Sequence, residues 1–119
     1  MRITHRAFRA VVDEVLAALP DEYREAMRRH GVAVVVHEVP PEDLLDEEGA
    51  GPYGAFYGPA YADLGPGSSS PESPRIEIYL RTFQECCRDR AELEAEIEAT
   101  VLHELGHFLG FDEDYLEDV

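Results

Sequence analysis

The segment from Asp89 to Leu109 is the longest stretch of the chain with a sustained helical period, and it dictates what the remaining elements must do. Asp89 supplies a helix N-cap, Glu92 stands in the first turn, and Gly110 ends the run. At about 100° per residue, Val101, Leu102, Leu105 and Leu109 point broadly together into a core. The other side carries Glu96, Thr100, His103, Gly106 and His107. A helix that is apolar behind and polar in front floors a cleft, so the rest of the chain must cover its back and leave its front open.

Upstream segments supply that cover. Phe8, Val12, Val15 and Leu19 recur at helical spacing behind the N-cap candidate Thr4. Pro20-Asp21-Glu22 breaks this helix and starts a second one. Arg28, Arg29 and His30 occupy its last turn and Gly31 stops it. His30 is read as a helix-end residue. The β-branched run Val32–Val36, between Gly31 and Pro40-Pro41, is predicted to be a strand buried on both faces, with His37 at its end. Glu42 to Glu48 is mostly acidic and solvated. Gly54–Tyr61 is predicted to be a short strand or hairpin edge, because its glycines and Pro59 exclude a central position. Gly65–Pro74 is read as a loop. Arg75–Arg81 alternates, with Ile76, Ile78 and Leu80 opposite Glu77, Tyr79 and Arg81, which predicts a half-buried strand. With 119 residues and no internal repeat, the chain is read as a single domain over residues 1–119.

Charge and composition narrow the classes. Twenty-six acidic residues against ten basic ones, all of them Arg, give a net charge of −16. Such a surface repels phosphate backbones, so no nucleic-acid partner is expected. No apolar run approaches the roughly 18 residues of a membrane span, and Asp13 and Glu14 interrupt the apolar run that a secretory signal would need. The two cysteines, Cys86 and Cys87, are adjacent and are read as free thiols in a reducing cytoplasm.

His103-Glu104-Leu105-Gly106-His107 stands inside the final helix. Histidines four apart lie one turn apart on one face, so both imidazoles can reach a single metal ion. Zn2+ suits imidazole and carboxylate donors, although another divalent transition metal can occupy such a set. A catalytic zinc takes three protein ligands and keeps one position for water. Only carboxylates follow His107 as candidates. Gly110 allows the chain to turn back, and the extended pattern His-Glu-x-x-His-x-x-Gly-x-x-ligand puts Glu113 in the third place, with Asp112 the second choice. Glu104 is the candidate general base, which takes a proton from the attacking water and passes it to the leaving amine. Tyr115, Tyr57 and Tyr79 are candidate donors to an oxyanion. Asp112-Glu113-Asp114 lacks the alternation and the glycine of a calcium loop.

With these residues in hand, the chain resembles the minimal zincin-like metallopeptidases, small bacterial proteins. The resemblance rests on the first helix ending Leu19-Pro20, the strand running to Val39-Pro40, and Gly54-Ala55-Phe56-Tyr57-Gly58. It also includes Arg75–Arg81 and Val101-Leu102-His103-Glu104-Leu105-Gly106-His107. It implies a small α+β fold in which a three- to four-stranded mixed sheet packs with helices and a C-terminal helix carries the metal motif. It further implies a substrate peptide lying along an edge strand, here Arg75–Arg81 or Gly54–Tyr61. The expected activity is zinc-dependent hydrolysis of peptide bonds. The ten acids and no Arg or Lys between Ala91 and Val119 favour a cationic peptide or protein substrate. The alternative is a non-catalytic metal-binding or protein-interaction module on the same scaffold.

Overall fold

The structure is a computed structural model that describes residues 1–58 and 73–109. The end of the Gly54–Tyr61 segment and most of the Gly65–Pro74 segment lie outside the described residues. Among the described residues, four helices pack with a three-stranded mixed sheet. In chain order the elements are α1 (His5–Ala17), α2 (Asp21–His30), β1 (Ala33–His37), β2 (Gly54–Tyr57), β3 (Arg75–Tyr79), α3 (Leu80–Cys86) and α4 (Arg90–Phe108). A 3-10 turn, Glu42–Leu44, lies between β1 and β2. The α+β class expected from the sequence is the class found.

Local chemistry accounts for the helix ends. The Thr4 hydroxyl accepts a hydrogen bond from the Ala7 amide at 3.1 Å, and Asp89 accepts one from the Glu92 amide at 2.9 Å. Each satisfies a first-turn amide that has no partner within its helix. Gly31 closes α2 in the left-handed conformation at φ 65°, which suits a residue without Cβ.

The strand order is β1-β3-β2, with β1 parallel and β2 antiparallel to β3. This corrects two expectations. The alternation of Arg75–Arg81 predicts a half-buried strand and a possible edge, yet β3 is the central strand, ends at Tyr79, and is buried on both faces. The β-branched run Val32–Val36 predicts burial on both faces, yet β1 is an edge strand in which Val34 is buried, Val35 and Val36 are partly covered and Ala33 is exposed. The ionisable side chain that makes β3 look half-solvated is neutralised inside the protein. The Glu77 carboxylate accepts from Arg75 Nε at 2.9 Å and from the Tyr79 hydroxyl at 3.4 Å, and lies 3.4 Å from His37 Nε2. A buried carboxylate is tolerable only with such partners.

The core lies between the other sheet face and the helices. Ile76, Ile78 and Val34 meet Phe8, Val11, Val12 and Val15 of α1 and Leu93, Ile97, Val101, Leu105 and Phe108 of α4. The α4 set recurs every three or four residues, and of the residues expected in the core Val101 and Leu105 belong to it. Leu102 and Leu109 are only partly buried, because they flank the stripe rather than lie on it. Gly106, expected on the open face, is buried. Burial of these side chains is the main favourable contribution to the fold.

Candidate metal centre

α4 is held against β2 by packing that fixes where its polar face opens. Phe56 of β2 stacks on Phe108 of α4 with ring centroids 5.2 Å apart. Two residues earlier in β2 stands Gly54. A Cβ there would lie 2.6 Å from the Glu77 carbonyl oxygen and 3.0 Å from the Thr100 methyl of α4. Only glycine lets the strand and the helix approach this closely.

His103 and His107 project from adjacent turns of α4. Their Nε2 atoms are 3.0 Å apart, with ring centroids at 4.6 Å and ring planes at 81°. Two zinc–nitrogen bonds of about 2.05 Å at the tetrahedral angle place their nitrogens about 3.3 Å apart, so the observed 3.0 Å is within a few tenths of a shared coordination point. One ligand atom from each of His103, Glu104 and His107 falls within 4.8 Å of the others. His103 and Glu104 are half-buried and His107 is exposed. The three side chains therefore form a group that could hold a metal ion, and imidazole nitrogens beside a carboxylate suit zinc.

A cavity of about 290 Å³ opens beside this group, lined by Pro52, Tyr53 and Gly54 on one side and Ala99, Thr100, His103 and Glu104 on the other. The Tyr79 amide donates to the Tyr53 carbonyl at 2.9 Å, which extends the β2–β3 pairing past the end of β2. By the alternation of an antiparallel ladder, Gly54 and Phe56 then turn their N–H and C=O groups to the other edge of β2. Among the described residues no strand pairs with that edge. A backbone edge with hydrogen-bonding groups thus borders the cavity that holds His103 and Glu104.

Over residues 29–119 the sequence matches a family described as zincin-like metallopeptidase. The chain belongs to the zincin-like metallopeptidase family. Its fold is also similar to that of a conserved hypothetical protein from Thermus thermophilus, at 26% identity and a TM-score of 0.58, covering 98% of this chain and 100% of that one. No curated protein matches. No helix of the described residues is long and apolar enough to cross a membrane.

The zincin-like chain places its sequence-predicted residues unevenly. His103, Glu104 and His107 come together. Glu113, Asp112, Tyr115 and Gly110 lie outside the described residues. Tyr79 is fully buried, and its hydroxyl donates to Glu77. Burial, then the Tyr57 hydroxyl and Glu77, raises its pKa well above the ordinary phenol value. Strand alternation puts Tyr57 on the same face as Tyr79, opposite Phe56 and α4, and the Arg75 guanidinium lies 4.8 Å from the Tyr57 ring centroid. Neither tyrosine is placed to serve the histidines. His37 meets Glu77, and the His30 ring packs 5.6 Å from Phe108, so both are structural, as expected.

Tyr53 lines the cavity although no local sequence signal marks it. Its ring lies 4.5 Å from that of Phe83. Burial raises its pKa, reinforced by Cys87, Glu96 and Cys86 around the hydroxyl. Its position depends on β2 pairing with β3 and packing on α4, which no pattern of neighbouring residues reports.

Proposed function

We propose that this chain is a zinc-dependent peptidase in which His103 and His107 hold the metal, Glu113 supplies the third ligand with Asp112 as the second choice, and Glu104 is the general base. The observation that carries the reading is the 3.0 Å approach of the His103 and His107 Nε2 atoms, with His103 and Glu104 lining a cavity beside a strand edge that no strand of the described residues pairs with. A bound zinc ion would supply Lewis acidity and acidify a coordinated water. A peptide pairing with Gly54 and Phe56 presents its backbone over that cavity by strand addition. Glu104 removes a proton from the attacking water and returns it to the departing amine. The wall of the cavity on α4 carries the small side chains of Ala99 and Thr100 beside His103 and Glu104.

Charge favours a basic substrate. Glu96 precedes His103 by seven residues, two helical turns, and so shares its side of α4. Glu104 adds a second carboxylate at the cavity wall. Together with the chain's net charge of −16, they draw cationic peptides to the site, most strongly at low salt.

The test is a peptide-mixture digest with zinc-loaded wild-type protein and with Glu104→Gln. The wild type should cleave, preferring basic peptides. Glu104→Gln should keep its metal and lose about 100- to 10,000-fold in rate, the usual contribution of a positioned base. Equal cleavage by both proteins would remove Glu104 from the mechanism. No cleavage by the loaded wild type would favour the non-catalytic module.

A further inference from the structure

Beyond His103 and Glu104, the cavity at the candidate metal centre is walled by Pro52, Tyr53, Gly54, Ala99 and Thr100. The Thr100 hydroxyl turns back along α4, where it donates to the Glu96 carbonyl at 2.7 Å, and the Thr100 methyl lies towards Gly54. Away from the histidine, this wall therefore presents mostly carbon, a surface that accepts the aliphatic part of a side chain.

Glu96 stands at the far end. It precedes His103 by seven residues, about 10.5 Å along α4, and helical side chains lean towards the N-terminus. The Tyr53 hydroxyl lies among Cys86, Cys87 and Glu96, so Tyr53 walls the cavity with its ring and approaches the Glu96 carboxylate with its tip. Other carboxylates of α4 are neutralised, Glu92 by Arg88 at 3.2 Å and Glu94 by Arg90 at 3.0 Å. Glu96, half-buried, has no cationic partner among the described residues. A partly desolvated carboxylate of this kind gains from a cation brought to it.

Lys and Arg combine the two requirements, an aliphatic stem and a charge at its tip. A peptide paired with Gly54 and Phe56 turns its side chains alternately towards α4 and away from it. One residue of extended chain, about 3.3 Å, and a Lys side chain of about 6 Å together nearly span the two helical turns from the histidines to Glu96. A basic residue beside the reacting carbonyl thus lays its stem along Tyr53 and Thr100 and its charge at Glu96.

We propose that this cavity is a specificity pocket for Lys or Arg at the residue next to the bond to be cut, on the Tyr53 side, and that Glu96 selects the charge. The pocket rests on the peptidase reading for its place in the reaction. It goes beyond the attraction of cations by an acidic chain, because it assigns the choice to one carboxylate and one peptide position.

The probes are dye-labelled Ala/Ser peptides with one Lys moved stepwise along them, and matched peptides with norleucine in its place. Anisotropy titrations into zinc-loaded Glu104→Gln protein give the affinities without turnover. One position should bind Lys about tenfold more tightly than norleucine. Glu96→Gln, added to the same background, should abolish that difference. Glu96→Arg should invert it, so that a peptide with Glu at this position binds better than one with Lys. Glu98→Gln is the control, since it removes the same charge from an exposed residue on the side of α4 that faces α1, and the Lys advantage should survive it.

The absence of any Lys-preferring position, an advantage that survives Glu96→Gln, or an equal loss in Glu96→Gln and Glu98→Gln overturns the pocket. Cleavage of the same peptides by the zinc-loaded wild type separates the pocket from its parent. If nothing is cut yet the Lys advantage exists and depends on Glu96, the pocket stands as a peptide-binding site and the peptidase reading falls. If peptides are cut with the same kcat/KM for Lys and norleucine at every position, the peptidase reading stands and the pocket falls.

Discussion

Replacing Gly54 with alanine tests the packing that builds the candidate site. The added Cβ would stand 2.6 Å from the Glu77 carbonyl oxygen, 3.0 Å from Thr100 Cγ2 and 3.1 Å from Ile78 Cγ2. Carbon–oxygen contacts normally begin at about 3.3 Å, so the strand must move by about 0.7 Å or more. The nearest obstacle is backbone, and it belongs to the strand that β2 pairs with, so no side-chain rotation relieves it. Overpacking of this kind costs about 1–3 kcal/mol. In a domain of about 100 residues, about 2 kcal/mol lowers Tm by about 8–16 °C. Thr100→Ser removes the methyl contact but not the carbonyl one, so it should restore only a minor part of the loss. Thermal unfolding followed by circular dichroism measures all three proteins. A Tm for Gly54→Ala within about 2 °C of the wild type would refute the reasoning, as would full rescue by Thr100→Ser.

Glu77 gives a second test. Arg75 is 39% exposed, so solvent screening holds that pair to less than about 1 kcal/mol, and the rest of the cost of Glu77→Ala arises at the buried Tyr79 hydroxyl, which keeps Tyr57 as a partner. We expect a total loss of about 1–2 kcal/mol in urea unfolding, with Glu77→Gln losing clearly less because its amide oxygen still accepts. Equal losses for the two variants would show that charge rather than hydrogen bonding governs the cluster. Cys87 gives a third. Burial raises its pKa, and Glu92, Glu96 and Cys86 add to the effect against an opposing hydrogen bond from Tyr53. A thiol whose pKa is raised on folding contributes stability that is complete below its unfolded value of about 8.5 and is lost as pH rises through the folded value. The Tm of the wild type should therefore fall faster than that of Cys87→Ala as pH rises from about 8 to 10, and parallel curves would contradict this. Cys86, exposed, should react with a thiol reagent well before Cys87.

The helices are legible in the sequence because their determinants are local. Thr4, Asp89 and Gly31 mark ends, and the spacing of Phe8, Val12 and Val15 marks a face. The metal motif is legible for the same reason, since four residues of helix set the distance between His103 and His107. The order of strands is not. Val34, Val35 and Val36 look more deeply buried than Arg75 to Tyr79, yet β3 is central and β1 lies at the edge. The difference comes from partners distant in sequence: His37 joins Arg75 and Tyr79 around Glu77, and no periodicity reports such a cluster. Tyr53, Gly54 and Ala99 give no sign of being cavity walls for the same reason. Their roles exist only after β2 has paired with β3 and packed on α4.

The central claim is that His103 and His107 jointly grip one metal ion, and its most direct test is the metal content of the untagged protein. Elemental analysis after purification with zinc present should find about one equivalent per chain in the wild type, and a loss of most of it in His103→Ala with the fold retained by circular dichroism. Equal zinc in the two proteins, or none in either, would contradict the account.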